Sequence, residues 1–129
     1  MSRKTASLAG LERIARLKSD LEMRRFAAFR AHVEAARARI GQIEHELEAL
    51  YRADTPFSVA EARLVNALAG ERSRALLNAE HELERMLPSY EQARRSAARE
   101  FGRAEAVHGL REDLVAQERL DRMRREQGG

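Results

Sequence analysis

The chain has 129 residues, of which 35% are charged and only 5% aromatic, and a net charge of +3. It is too polar for a thick globular core and too rich in regularly spaced Leu and Ala for a disordered chain, so it is typical of long helices and coiled coils. The absence of Cys excludes disulfides and thiolate metal sites. Because no apolar core follows the basic N-terminus and no apolar run approaches about 20 residues, we expect no signal peptide, no membrane-spanning helix and a cytoplasmic location.

The first predicted helix carries the clearest periodicity in the sequence. Its apolar residues recur at steps of three and four, as in the heptad seam of a coiled coil. The seam consists of Phe26, Phe29, Val33, Ala36, Ile40, Ile43, Leu47 and Leu50. Upstream, an apolar stripe continues in a different phase, and it consists of Leu11, Ile14, Leu17 and Leu21. The change of phase predicts a stutter before Phe26.

A turn is predicted between residues 54 and 58. Pro56 biases Thr55 away from the helical conformation, and Ser58 and Glu61 have the spacing of a capping box. We therefore predict helices over residues 8–53 and 59–126. Since the link is short, the helices should be antiparallel neighbours, and the fold class is all-α, a single long two-helix coiled-coil hairpin.

The second helix is predicted to be longer than the first and kinked near Pro88. Its seam consists of Ala62, Val65, Ala69, Leu76, Ala79, Leu83, Met86, Tyr90, Ala93 and Ala97, interrupted once by Arg72. We expect the stripe to continue, with small phase slips, through Phe101, Ala104, Val107, Leu110 and Leu114. A compact bundle of three or four shorter helices, with turns at Pro88 and around residues 102–109, is the alternative.

If the helices pair about this turn, the numbers of opposing residues should add up to about 112, which places Leu8 opposite Ala104. Residues 105–127 would then overhang without a partner helix. Residues 1–30 carry eight Lys and Arg against three Asp and Glu, whereas residues 31–90 carry seven against ten. The sequence therefore predicts a basic terminal end with an uncovered apolar stripe, which is a candidate binding face.

No constellation of residues indicates catalysis or a cofactor, and we predict a protein that is not an enzyme. His32 and His81 could meet across the hairpin, but two exposed histidines are the simpler interpretation. Arg-rich stretches are interleaved with acidic residues and lack stacking aromatics, so we expect no specific nucleic-acid binding. The C-terminal stripe is thin and its polar face mixed in sign, so we expect no stable membrane insertion there.

The layout resembles the FliJ/YscO family of flagellar and type III secretion export proteins. The similarity lies in a hairpin of about this length, in Leu8-x-x-Leu11 with a basic first turn, and in the C-terminal run of residues 98–122, which ends in Gln117-Glu118-Arg119-Leu120-Asp121-Arg122. These patterns are shared by many coiled coils. The resemblance implies a central stalk or adaptor of a hexameric export ATPase, linked to an export-gate membrane protein and to export chaperones, in the cytoplasm beside a membrane export apparatus.

On that resemblance, the end formed by the two termini enters the pore of the ATPase. The residues expected to contact it are Leu8, Leu11, Leu110, Leu114, Arg119, Arg122 and Arg125. The alternative is a generic coiled-coil scaffold or a chaperone-like protein-binding module, and self-association of hairpins also stays open.

Overall fold

A computed structural model describes residues 2–52 and 58–128, and in them the chain forms two helices, α1 (Arg3–Arg52) and α2 (Val59–Gly128). No strand occurs in the described residues, so the predicted all-α helical hairpin is confirmed. α1 begins five residues earlier than predicted because Ser2 caps it: the amide of Thr5 donates to Ser2 Oγ at 3.1 Å. Residue 53 and most of the predicted turn, residues 54–57, lie outside the described residues.

α2 begins where the capping signal placed it. The amide of Glu61 donates to Ser58 Oγ at 3.2 Å, which satisfies one of the free donors of the first turn. The helix then runs without interruption through Pro88 and on to residue 128. A bundle with turns at Pro88 or at residues 102–109 is therefore wrong, while the kink at Pro88 stays a prediction.

The hairpin divides into two compact units. The middle unit is Ala28–Glu91, and the terminal unit combines Met1–Ala27 with Gln92–Gly129. Each unit pairs a segment of α1 with a segment of α2, where the sequence had predicted one continuous domain.

The middle unit is built on the predicted seam. Val33 and Ile43 of α1 are 1% and 3% exposed, and Ala69 and Ala79 of α2 are also buried. The other predicted seam residues of this unit are half-buried, so the seam is confirmed there. Arg72 interrupts it as predicted, and its Nη1 donates to Glu46 Oε2 at 3.0 Å, which pairs the one seam cation with a carboxylate of α1.

The core of the middle unit yields a prediction about stability. Replacing Ile43 by Ala should lower the free energy of unfolding by about 2–4 kcal/mol, because a buried side chain is lost and a cavity remains. Leu64, which is 60% exposed, is the matched control, and Leu64→Ala should change the free energy by less than about 0.5 kcal/mol. Urea unfolding followed by circular dichroism measures both. Equal losses of unfolding free energy in the two variants would contradict the assignment of Ile43 to the buried seam.

A second prediction concerns Gly102 within α2. A Cβ built there meets nothing within 4 Å, so Gly102→Ala adds no clash and removes the flexibility of glycine from the unfolded chain. We expect the free energy of unfolding to rise by about 0.5–1 kcal/mol. The reverse substitution at the exposed Ala106, Ala106→Gly, should lower it by a similar amount. The same urea titration measures whether the free energy of unfolding rises in Gly102→Ala and falls in Ala106→Gly.

Candidate partner-binding surface

The seam of α1 in the terminal unit is polar. Thr5, Glu12 and Ser19 are 2%, 4% and 5% exposed, and they stand at intervals of seven residues. The same interval leads on to Phe26 and Val33, so these polar residues occupy one position of the heptad already recognised downstream. The predicted stutter before Phe26 is therefore wrong: the register continues unchanged, with polar residues in place of apolar ones.

The apolar stripe predicted upstream consequently lies outside the seam. Leu11 and Ile14 are each 54% exposed, and Leu17 and Leu21 are 64% and 63% exposed. In the corresponding segment of α2, the seam also keeps its register, and some residues of the predicted stripe lie outside it. Its seam continues without slips through Ala93, Ala97, Glu100, Ala104, Val107, Arg111, Leu114 and Glu118, which are all buried or half-buried. Phe101 and Leu110, expected in the stripe, are 54% and 59% exposed.

Buried Glu12 is the centre of the polar seam. Its Oε1 accepts from Arg16 Nη2 at 3.0 Å and also bonds His108 Nδ1, and its Oε2 faces Arg111 Nε at 2.9 Å. Burial by itself raises the pKa of Glu12, but the hydrogen bonds from His108 and Arg16 and the charge of Arg111 outweigh it, so the pKa is lower than usual. A buried carboxylate with three partners favours this pairing of α1 with α2 over others.

A second polar pair closes the terminal unit near the start of α1. Thr5 Oγ1 donates to Glu118 Oε2 at 2.9 Å, and the hydroxyls of Ser2 and Thr5 are 2.9 Å apart. The hydrogen bond from Ser2 is the main cause of a lowered pKa at Glu118; burial opposes it and the bond from Thr5 adds to it. The seam thus ends on a carboxylate fixed by two hydroxyls.

These contacts correct the predicted register and overhang. Thr5 pairs with Glu118 and Glu12 with Arg111, so the numbers of paired residues add up to 123 in the terminal unit and not to 112. The segment predicted to overhang therefore packs on α1 at least as far as Glu118. The reason is that α1 begins earlier than expected and that the ionic partners of Glu12 fix the helices in this register.

The residues predicted to bind a partner all lie in the terminal unit, and they comprise four leucines and three arginines. Leu11 and Leu110 are exposed, whereas Leu8 and Leu114 are half-buried. The three arginines, Arg119, Arg122 and Arg125, are exposed on the last turns of α2. Among them, Arg125 Nε donates to the backbone carbonyl of Asp121 at 3.4 Å.

A groove between α1 and α2 brings part of this set together. It has a volume of 370 Å³ and is lined by Leu11, Ile14, Ala15, Lys18, Glu100, Arg103, Ala106 and Val107. Leu110 follows Val107 by three residues and Arg103 by seven, so it shares their face of α2. The groove therefore has an apolar floor and exposed leucines at its edges, which is the form of a site for a partner's helix.

The apolar pattern of the sequence placed Ile14, Leu17 and Leu21 in the paired stripe, so it did not predict that their side chains are exposed. The signal that could have found them is the heptad of residues 26–50 extended backwards at constant phase, which passes through Thr5, Glu12 and Ser19. Because these three residues are polar, a search for apolar periodicity does not detect that register. A second apolar groove, lined by Met23, Phe26, Arg94, Ala97, Ala98 and Phe101, was missed for the same reason.

Among the described residues, no group of three or more His, Asp or Glu side chains is placed to hold a metal ion. His32 and His81 are both exposed. In the part of the chain that the structure describes, no helix has the length and apolarity needed to cross a membrane. No family model, curated protein or solved structure matches this chain.

The Glu12 cluster yields a prediction about pH. Because the pKa of Glu12 is lower in the folded protein than in the unfolded chain, where it is about 4.3, unfolding takes up a proton in acid. The stabilisation is fully present above the unfolded pKa and is lost as the pH falls through the folded one. Glu12→Gln should lower the melting temperature at pH 7, and its difference from the wild type should shrink in acid.

Thermal unfolding followed by circular dichroism between neutral pH and pH 3 measures this. The control is Glu34→Gln, which removes an exposed ion pair with Arg30 and should have little effect at any pH. A difference between Glu12→Gln and the wild type that stays constant down to pH 3 would contradict the role given to the carboxylate.

Proposed function

We propose that this protein is a non-enzymatic stalk or adaptor of a flagellar or type III protein-export ATPase, which links the ATPase hexamer to the export gate and to export chaperones. The observation that carries the proposal is the apolar groove of the terminal unit, which is lined by exposed Leu11 and is continued along the same face of α2 by exposed Leu110, three residues after Val107. A partner helix in this groove would cover both leucines while the hairpin keeps its own polar seam.

Burial and charge support a protein partner at this end. Each of the two leucines is more than half exposed, so covering one contributes about 1 kcal/mol to binding. Arg119, Arg122 and Arg125 extend beyond the groove toward the end of α2 and are exposed. Guanidinium groups pair well with carboxylates, so this segment suits an acidic pore or cleft.

The resemblance to the FliJ/YscO family supplies the kind of partner. Members are helical hairpins whose terminal end meets the ATPase, and the groove lies in the terminal unit of this hairpin. The proposed site is therefore Leu11, Leu110 and the three arginines, while Leu8 and Leu114 support it from half-buried positions. The proposed location is the cytoplasm, beside a membrane export apparatus.

A generic scaffold or chaperone-like binding module is the second candidate. It is favoured by exposed apolar side chains in the middle unit, where Val59, Leu64 and Leu77 are 70%, 60% and 53% exposed. A protein that binds many partners through dispersed apolar residues would use both units. A stalk specific for an ATPase depends on the terminal unit, so substitutions in the two units separate the candidates.

The test measures stimulation of the export ATPase from the same organism. Leu11→Ser/Leu110→Ser should weaken stimulation at least about tenfold in half-maximal concentration, because two contacts of about 1 kcal/mol each are lost. The control Leu64→Ser/Leu77→Ser removes two leucines of similar exposure from the middle unit and should stimulate like the wild type. Circular dichroism checks that both variants remain helical.

Two outcomes would contradict the proposal. One is a wild-type protein that does not stimulate the ATPase. The other is full stimulation by Leu11→Ser/Leu110→Ser. Deletion of residues 106–129 is a poorer test, since it also removes Arg111 and Glu118, which hold α1.

A further inference from the structure

The outer side of α1 in the terminal unit carries three apolar residues, Ile14, Leu17 and Leu21, which we name the outer stripe. Each follows a buried or half-buried seam residue (Glu12, Ala15 and Ser19) by two positions, which is about 200° around a helix. Leu17 and Leu21 therefore face away from α2, and Ile14 lies where the outer stripe meets the groove between the helices. Its side chains are 54%, 64% and 63% exposed, so α2 leaves most of their surface in water.

Exposed cations flank the outer stripe on both sides. Lys18 follows Ile14 by four residues, Arg13 precedes Leu17 by four, and Arg24 follows Leu21 by three. Residues three or four apart are neighbours on a helix surface, so each cation lies beside an apolar member. Long Lys and Arg side chains in such positions can lay their stems along an apolar surface and reach outward with their charges.

Two of the three acidic residues of this segment, Glu12 and Glu22, are turned toward α2, and the third, Asp20, is exposed. Glu12 is buried and held by Arg16, His108 and Arg111. Asp20 lines a groove with Phe101 and Ala104 of α2. Glu22 is half-buried, and its Oε2 is inaccessible to solvent. The outward surface of α1 between residues 13 and 24 therefore carries the apolar stripe with three flanking cations against one exposed carboxylate, Asp20, which follows Leu17 by three residues.

We propose that the outer stripe binds the surface of a bilayer that contains anionic phospholipids, with α1 lying in the plane of the headgroups. An amphipathic helix with apolar residues on one face and Lys and Arg beside them binds such interfaces through apolar burial and electrostatic attraction together. With three apolar residues, the binding is reversible and peripheral, in keeping with the absence of a membrane-spanning helix from residues 2–52 and 58–128.

Two other occupants fit the surface less well. A partner helix packs best into a groove between two helices, whereas the outer stripe is a ridge on one helix, opposite its neighbour. A second copy of the chain, stripe against stripe, would bring Lys18 and Arg24 of one copy against the same cations of the other, which repels. A lipid surface is flat, negatively charged and deformable, so it accepts a basic ridge.

The test uses the full-length protein and sedimentation with vesicles. One set contains phosphatidylcholine alone, and the other mixes it with phosphatidylglycerol. We expect binding to the anionic vesicles that is at least about tenfold stronger than to the neutral ones and that weakens in high salt. Leu17→Ser/Leu21→Ser and Lys18→Gln/Arg24→Gln should each weaken binding to anionic vesicles by about tenfold or more.

Matched controls come from the middle unit. Leu64→Ser/Leu77→Ser removes two exposed leucines, and Arg63→Gln/Arg74→Gln makes the same change of charge at exposed sites. Both should bind like the wild type, and circular dichroism verifies the helices of every variant. The assay contains no ATPase, so its outcome is independent of the stalk proposal.

The proposal is overturned if the wild type does not bind anionic vesicles, or if Leu17→Ser/Leu21→Ser binds them as well as the wild type does. It is also overturned if binding of the control variants to anionic vesicles weakens as much as binding of the stripe variants, since binding would then not depend on the outer stripe. Light scattering adds a last outcome: a dimer that Leu17→Ser/Leu21→Ser dissociates would assign the outer stripe to a second copy of the chain.

Discussion

The pairing of buried Glu12 with Arg111 and His108 of α2 is the interaction on which the terminal unit depends. A carboxylate taken from water needs partners, and Arg111 and His108 supply them only when α1 and α2 meet in one register. That register also brings Thr5 to Glu118. It leaves Leu11, Ile14, Leu17 and Leu21 outside the seam, since a helix cannot turn both faces to the same neighbour. The exposed apolar surface is therefore a consequence of the polar seam.

The two units use the same heptad for different purposes. In the middle unit, buried Val33 and Ile43 stabilise the pairing through apolar burial, and Arg72 with Glu46 is the exception. In the terminal unit, the polar pairs act together with buried Ala93, Ala97 and Ala104, and four large apolar residues of α1 lie outside the seam. Polar pairs stabilise less than well-packed apolar residues but tolerate fewer alternative registers. The terminal unit thus buries only small apolar residues between its helices and leaves larger ones of α1 exposed to other molecules.

The terminal unit presents two kinds of surface. The groove edged by Leu11 and Leu110 is concave and has α2 as one wall, which suits a protein helix, while the outer stripe is a basic ridge, which suits a lipid surface. They occupy adjacent sides of α1 and share Ile14 and Lys18. The variants proposed for each surface leave the other's leucines in place, so the two proposals can be tested separately.

The sequence by itself determined the two helices, the Ser58 cap, the seam of residues 26–50 and its partner seam with Arg72, because these depend on local capping and on a repeated apolar pattern. It did not determine the seam of the first 25 residues, where apolar periodicity pointed to Leu11, Ile14, Leu17 and Leu21. Only the tertiary structure decided that Thr5, Glu12 and Ser19 face α2. The physical reason is that the polar groups of Thr5 and Glu12 are satisfied by residues about a hundred positions away, which no local pattern of hydrophobicity records.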